Sequence, residues 1–76
     1  MINEILHKVP APTRTRLEFY VNRTIPTFID DIRVSFDATI CEMCGVLWDV
    51  GVLTLDESNE LYAYYRNRLY NGGNAR

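Results

Sequence analysis

Cys41 and Cys44, three positions apart, are the residues of this chain whose types and spacing come closest to a reactive site. Two thiolates at this spacing often bind zinc or exchange disulfides. A structural zinc needs four ligands, however, and the chain has no second cysteine pair and only one histidine, His7. A redox pair should open a helix after a strand, whereas both thiols fall on the apolar side of a helical pattern. The sequence therefore predicts two buried core cysteines and no metal site.

The remaining polar residues show no arrangement for catalysis. Ser35 and Ser58 lack the glycine-framed turn that exposes a nucleophile. Paired carboxylates such as Asp30 with Asp31 lie at predicted helix starts, where capping and solvation account for them. Because no glycine-rich phosphate loop is present either, we expect a protein without enzymatic activity or cofactor.

Length and composition predict one small folded domain over residues 1–76. The 47% hydrophobic and 24% charged residues are typical of globular proteins and not of disordered ones. No apolar run approaches the roughly 18 to 20 residues of a membrane-spanning helix. The first twelve residues lack the apolar core of a signal peptide, so we expect a cytoplasmic protein.

The N-terminal half contains a short predicted helix and, over residues 14–36, a segment that allows two interpretations. A short helix over 3–8, with Ile5 and Leu6 inward, should end at the prolines that follow. Two further helices then run from Thr13 and from Thr27. Their apolar faces comprise Leu17, Tyr20, Val21 and Ile25, and then Phe28, Ile29, Ile32 and Phe36. Both segments also alternate apolar and polar residues, so an N-terminal β-hairpin within an α+β fold is the alternative.

The most apolar segment is a predicted helix over Ala38–Val50, with Asp37 as its N-cap. Its polar stripe is narrow and consists of Glu42, Gly45 and Asp49. A helix with so little polar surface should be covered on most of its circumference, with Trp48 hidden, by its neighbours or by a second copy of the chain. We therefore place this helix at the centre of the fold.

A tight turn should follow the central helix. Gly51 stands where a helix ends in the left-handed conformation, and Val52 is placed to contact Leu47. Thr54 and Glu57 have the spacing of a capping box that opens the next helix. Because only about three residues join the two helices, they should pack antiparallel. The stretch from Leu47 to Thr54, with Glu57, resembles the hinge of small helical-hairpin modules such as SHOCT domains, and the resemblance implies no particular function.

The last predicted helix runs from Leu55 to about Tyr70, with a mobile tail over 71–76. Its inward face comprises Leu61, Tyr62, Tyr65 and Leu69. The fold class that results is all-α, a small bundle of three to four helices. Tyr64, Arg66 and Arg68 point outward, and tyrosine and arginine are enriched at protein interfaces.

A second candidate surface comes from charge. Residues 24–63 carry eight acids against one arginine, and a basic patch on another protein would complement them. We place this surface at Asp30, Asp31 and Glu42. Together with the outward face of the last helix, it predicts a small protein-binding module. Short, self-contained binders are common among phage and mobile-element accessory proteins, so we expect a regulator or inhibitor of that type. A homodimer is a further expectation.

Nucleic-acid binding is the alternative function. Its residues would be basic ones from both ends of the chain: Arg14, Arg16, Arg23, Arg66 and Arg68. The net charge of −2 and the sequence pI near 5.2 oppose long-range attraction to phosphates, so protein binding is preferred.

Overall fold

The chain folds into four α-helices, as seen in a computed structural model that describes residues 2–23 and 30–71. They are α1 (Ile2–Lys8), α2 (Ala11–Arg23), α3 (Asp30–Asp49) and α4 (Leu55–Asn71). The described residues contain no strand, so the all-α prediction is confirmed and the N-terminal hairpin is wrong. The predicted positions of Ile25, of the helix start near Thr27 and of the tail beyond Asn71 lie outside the described residues.

Two prolines separate α1 from α2. The amide of Arg14 donates to the carbonyl of Pro10 over 2.9 Å and closes the first turn of α2. Pro12 therefore lies within that first turn, where a missing N–H breaks no helical hydrogen bond. Proline thus ends one helix here and begins the next.

The hinge between α3 and α4 has the predicted geometry. Gly51 adopts φ +83°, and its amide donates to the carbonyl of Trp48 over 3.0 Å, while the amide of Val52 donates to that of Leu47 over 2.9 Å. These two bonds define a Schellman ending. Thr54 and Glu57 then form the predicted capping box: the Thr54 amide donates to Glu57 Oε1 over 2.9 Å, and the Glu57 amide to Thr54 Oγ1 over 3.1 Å.

The core lies along α4, against which each of the other three helices packs. Its buried apolar side chains come from all four helices, from the connection between α1 and α2 and from the hinge between α3 and α4: Ile5, Val9, Leu17, Val21, Ile40, Cys44, Leu47, Leu53, Leu61, Tyr65 and Leu69. Ser58 is also buried, and its hydroxyl donates to the carbonyl of Cys44 over 2.8 Å. Because that bond satisfies the hydroxyl, serine is accepted at a position where a helix start often places an apolar residue.

The N-cap role predicted for Asp37 is wrong, because α3 runs without interruption from Asp30 to Asp49. No proline or glycine stands between the two segments that the sequence suggested, so one helix continues through both. The Asp37 carboxylate accepts hydrogen bonds from α4 instead.

The expectation that α3 is covered on most of its circumference is not met within the chain. Trp48 is 47% exposed, and Val34, Val46 and Val50 are exposed as well. Met43 is partly buried and Leu47 is buried, so coverage is limited to the side that faces α2 and α4. The other three helices pack mainly against α4, so α4 and not α3 is the central helix of the bundle. One side of α3 stays open, as expected of a small domain that buries a low fraction of its surface.

Within the described part of the chain, no helix combines the length and the apolar character needed to cross a membrane.

The two glycines near the end of α3 should respond in opposite ways to the same substitution. Gly51→Ala forces a Cβ into the left-handed region and should lower the free energy of unfolding by about 1 kcal/mol. Gly45 lies inside α3, where an added Cβ meets no atom within 4 Å. Gly45→Ala should therefore raise the free energy of unfolding by about 0.5–1 kcal/mol. Urea unfolding followed by circular dichroism measures both, and equal signs would contradict the assigned turn.

Candidate protein-binding surface

An exposed row of side chains runs along α3 on the side away from the core. It consists of Val34, Ala38, Cys41, Gly45 and Trp48, which we call the outer stripe. Steps of four, three, four and three residues keep all five on one helical face. The four residues other than Gly45 are exposed, and Gly45 has no atom within 4 Å of an added Cβ. The outer stripe is therefore an apolar surface that no described part of the chain covers.

The position of α4 leaves the outer stripe open. Ser58 of α4 bonds to the Cys44 carbonyl near the hinge, and Arg66 of α4 bonds to Asp37 farther along α3. These pairs run in opposite directions along the two helices, so α3 and α4 are antiparallel. Because Cys44 and Asp37 lie on one side of α3, α4 borders the outer stripe along one edge and does not cross it.

Asp37 is the main polar link between the two helices. Its carboxylate accepts hydrogen bonds from the Tyr62 hydroxyl, from the Tyr70 hydroxyl over 3.0 Å and from Arg66 Nε over 3.2 Å. The Arg66 guanidinium also lies 5.2 Å from the centre of the Tyr70 ring. Burial alone would raise the pKa of Asp37, but the three donors and the charge of Arg66 hold that pKa below its usual value.

The same contact acts on the tyrosine. The hydrogen bond to Asp37, together with burial and the carboxylate charge, raises the pKa of Tyr62 to about 12. Tyr62 therefore stays a neutral donor at physiological pH, which keeps its hydrogen bond to Asp37 intact.

A second polar cluster joins α2 to α4. Glu18 Oε2 accepts hydrogen bonds from Arg68 Nη1 over 2.6 Å and from the Tyr65 hydroxyl over 3.1 Å. The hydrogen bond from Arg68 is the largest influence on Glu18, and it lowers the pKa of that carboxyl although burial opposes the shift. The Arg68 guanidinium also lies 5.6 Å from the centre of the Tyr64 ring. Arg68 and Tyr64 are thus engaged in contacts within the chain.

The structure does not bring the predicted protein-binding residues onto one face. Tyr64 and Arg68 lie beside α2, and Arg66 lies beside α3. Glu42 is exposed in a groove of about 360 Å³ between α2 and α3, where Arg16 also lies. The side chains of Asp30 and Asp31 lie outside the described residues. These assignments to a binding surface stay predictions.

The basic residues of the nucleic-acid alternative are also dispersed. Arg66 pairs with Asp37 and Arg68 with Glu18, so both cations are at least partly neutralised within the chain. Arg14 donates to the carbonyl of Leu6 over 3.0 Å. The Arg23 side chain lies outside the described residues. Nucleic-acid binding stays a prediction that no described basic cluster supports.

The two cysteines differ in their environments. Cys44 is buried as predicted, and burial, followed by the effect of Cys41, raises the pKa of its thiol to about 12. Cys41 is exposed on the outer stripe, so the prediction that it belongs to the core is wrong. The described residues contain no group of three or more histidine, cysteine, aspartate or glutamate side chains placed to hold a metal ion.

The sequence contains a signal for the outer stripe that the prediction of two helices in place of α3 conceals. Ending one helix at Phe36 and starting another at Ala38 separated Val34 from Cys41 and Trp48. Because α3 continues through Asp37, Val34, Cys41 and Trp48 lie in one row over four helical turns.

No family model, curated protein or solved structure matches this chain. The likeness of the α3–α4 hinge to helical-hairpin modules is therefore one of local geometry. The candidate function rests on the described surface.

The Asp37 cluster should contribute to stability in a pH-dependent way. Asp37→Asn removes the negative charge of the side chain that accepts hydrogen bonds from three donors. It should lower the free energy of unfolding by about 1–2 kcal/mol at pH 7. Folding lowers the pKa of Asp37 from its ordinary value of 3.8. The stabilisation by the carboxylate is therefore fully present above pH 3.8 and is lost as the pH falls through the lower pKa of the folded state. Urea unfolding of both proteins between pH 7 and pH ~2.5 measures the difference.

Asp49→Asn is the control for this series. Asp49 is exposed and takes part in no ion pair among the described residues. Its replacement should change the free energy of unfolding by less than about 0.5 kcal/mol. A cost for Asp37→Asn that is constant down to the lowest pH would contradict the assigned role of the carboxylate.

Proposed function

We propose that this chain is a non-enzymatic module that binds another protein through the outer stripe of α3. The observation that carries the proposal is Trp48, which is half exposed at the end of a row of apolar positions, four of whose five members are exposed. Tryptophan is among the residues that contribute most to binding energy at interfaces. Contiguous apolar surface of this kind marks interaction sites on soluble proteins.

The support for the outer stripe makes it suitable for recognition. Its residues lie on one helix of 20 residues, held from one side by α4 through Asp37 and Ser58. Leu55, the first residue of α4, is exposed too and adds apolar area close to the hinge. A surface on a packed helix needs little reorganisation when a partner binds, which reduces the entropic cost of association.

A small regulator or inhibitor, the role predicted from the sequence, would act by covering a surface of its target. A module without an active site changes another protein's activity by occupying or hiding part of it. The competing occupant of the outer stripe is a second copy of this chain, as the predicted homodimer requires. Sedimentation velocity over a range of concentrations separates the two cases.

Replacing Trp48 should abolish partner capture. The tagged chain captures proteins from a lysate of the cell that expresses it, and Trp48→Ala should reduce the recovery of its partner by more than about tenfold, as for an interface hot spot. Phe19→Ala is the matched control, because Phe19 is 50% exposed, close to the 47% of Trp48, but lies on α2. Its capture should be unchanged. Quantitative mass spectrometry measures recovery, and circular dichroism verifies that both variants fold.

Equal recovery by the wild type and Trp48→Ala would contradict the proposed surface. A loss with Phe19→Ala alone would move the binding site to the surface of α2 around Phe19. If the wild type is a dimer and Trp48→Ala both dissociates it and reduces partner recovery, the outer stripe would be assigned to self-association.

A further inference from the structure

The charge and shape of the outer stripe indicate the chemistry of its partner. Resting on the proposed function, we infer that the outer stripe binds an amphipathic helix of another protein that carries lysine or arginine along the edge next to Glu42 and Asp49. The inference depends on three features: the length and spacing of the outer stripe, the size of its central residues and the charges along its edge.

Length and spacing favour a helix as the occupant. Val34 and Trp48 are fourteen residues apart in α3, which corresponds to about 21 Å and four turns. Alternating steps of four and three residues form the seam along which one helix packs against another. A strand places every second residue on one face, so its side chains do not match the alternating spacing of three and four residues in the outer stripe.

The middle of the outer stripe allows a close approach. Ala38 and Cys41 are short, and Gly45 has no side chain and open space above it. Trp48 and Val34 are larger and stand at the two ends. A complementary helix therefore carries its large apolar residues at its centre and smaller ones opposite Trp48, since interface cores pack as densely as protein interiors.

The edge of the outer stripe away from α4 is acidic. Glu42 and Asp49 are seven residues apart, so they share this edge, and both are exposed. Neither forms an ion pair among the described residues. Arg16 lies in the same groove as Glu42 but forms no ion pair with it, so lysine or arginine on a partner would meet two acids that are not paired among the described residues.

The same acids disfavour a second copy of this chain. In an antiparallel pair of α3 helices about a two-fold axis, the edge with Glu42 and Asp49 faces the identical edge of the other copy. Like charges would then oppose each other along the contact. Arg33, the one cation of α3, lies 5.9 Å from the centre of the Tyr70 ring and so points toward α4. Charge complementarity therefore favours a basic partner over a twin.

A selection experiment tests the inference directly. The full chain is used to sort a yeast-displayed library of amphipathic helices of about 20 residues, which matches the outer stripe in length. The library has varied apolar residues at heptad positions a and d, all residue types except tryptophan at e and g, and no tryptophan elsewhere. Binders to Trp48→Ala are removed by counter-sorting. The selected helices should be enriched in lysine and arginine along one of the two flanking edges.

Binding of a selected helix can be observed at the site itself. Trp48 is the single tryptophan of the chain, so its fluorescence emission should shift to shorter wavelength when a synthetic copy of the helix covers it. Glu42→Lys should weaken this binding by about tenfold, because it places like charges together. Glu60→Lys is the matched control: it makes the same charge change on α4, one turn from Glu57, which pairs with Lys8 of α1. Its affinity should stay within about twofold of the wild type.

The outcomes separate this inference from the proposed function. Trp48-dependent binders with neutral or acidic flanks, or equal weakening by Glu42→Lys and Glu60→Lys, would overturn the basic helix and leave protein binding at the outer stripe in place. A wild-type dimer that Trp48→Ala dissociates would also overturn it, in favour of a twin. Failure to select any Trp48-dependent helix would overturn the inference, and partner capture from lysate that is equally insensitive to Trp48 would remove the proposed function too.

Discussion

The antiparallel contact between α3 and α4 determines which surfaces of this protein remain exposed. The Gly51 turn fixes it near one end, and the Asp37 cluster with Tyr62, Arg66 and Tyr70 fixes it near the other. Because the two helices are held at separated points, their rotation about their own axes is restricted. Ile40, Cys44 and Leu47 then face the core, and the outer stripe faces away from it.

The exposed apolar side of α3 is a consequence of chain length. Hydrophobic residues make up 47% of the sequence, and a domain of 76 residues buries too small a fraction of its surface to hide all of them. α3 has the most apolar residues and is therefore the helix on which some of them remain exposed. Part of that excess, Val34 and Trp48, lies in the outer stripe, whereas Val46 and Val50 are exposed outside it. A contiguous row is more useful for recognition than scattered single residues.

Charged residues of all four helices form contacts that stabilise the fold. Glu18 engages Arg68 and Tyr65, Asp37 engages Arg66, and Lys8 pairs with Glu57. Each of these contacts joins residues that are distant in sequence, and each uses a charge that composition alone would assign to a binding surface. Glu42 and Asp49, two of the acids that form no such contact among the described residues, lie beside the outer stripe, so its electrostatic character is negative there.

Local signals in the sequence determined the hinge, the all-α class and the inward face of α4. Gly51, Thr54 and Glu57 act through hydrogen bonds that span five residues or fewer, and Leu61, Tyr65 and Leu69 follow from helical periodicity. The continuity of α3 through Asp37, the pairing of Arg68 with Glu18 and the exposure of Cys41 and Trp48 were decided by the tertiary structure. An aspartate can cap a helix or accept hydrogen bonds from a neighbouring helix, and an apolar residue can lie inside or outside. Only the packing of the other helices selects between these states, because it determines which partners come within reach.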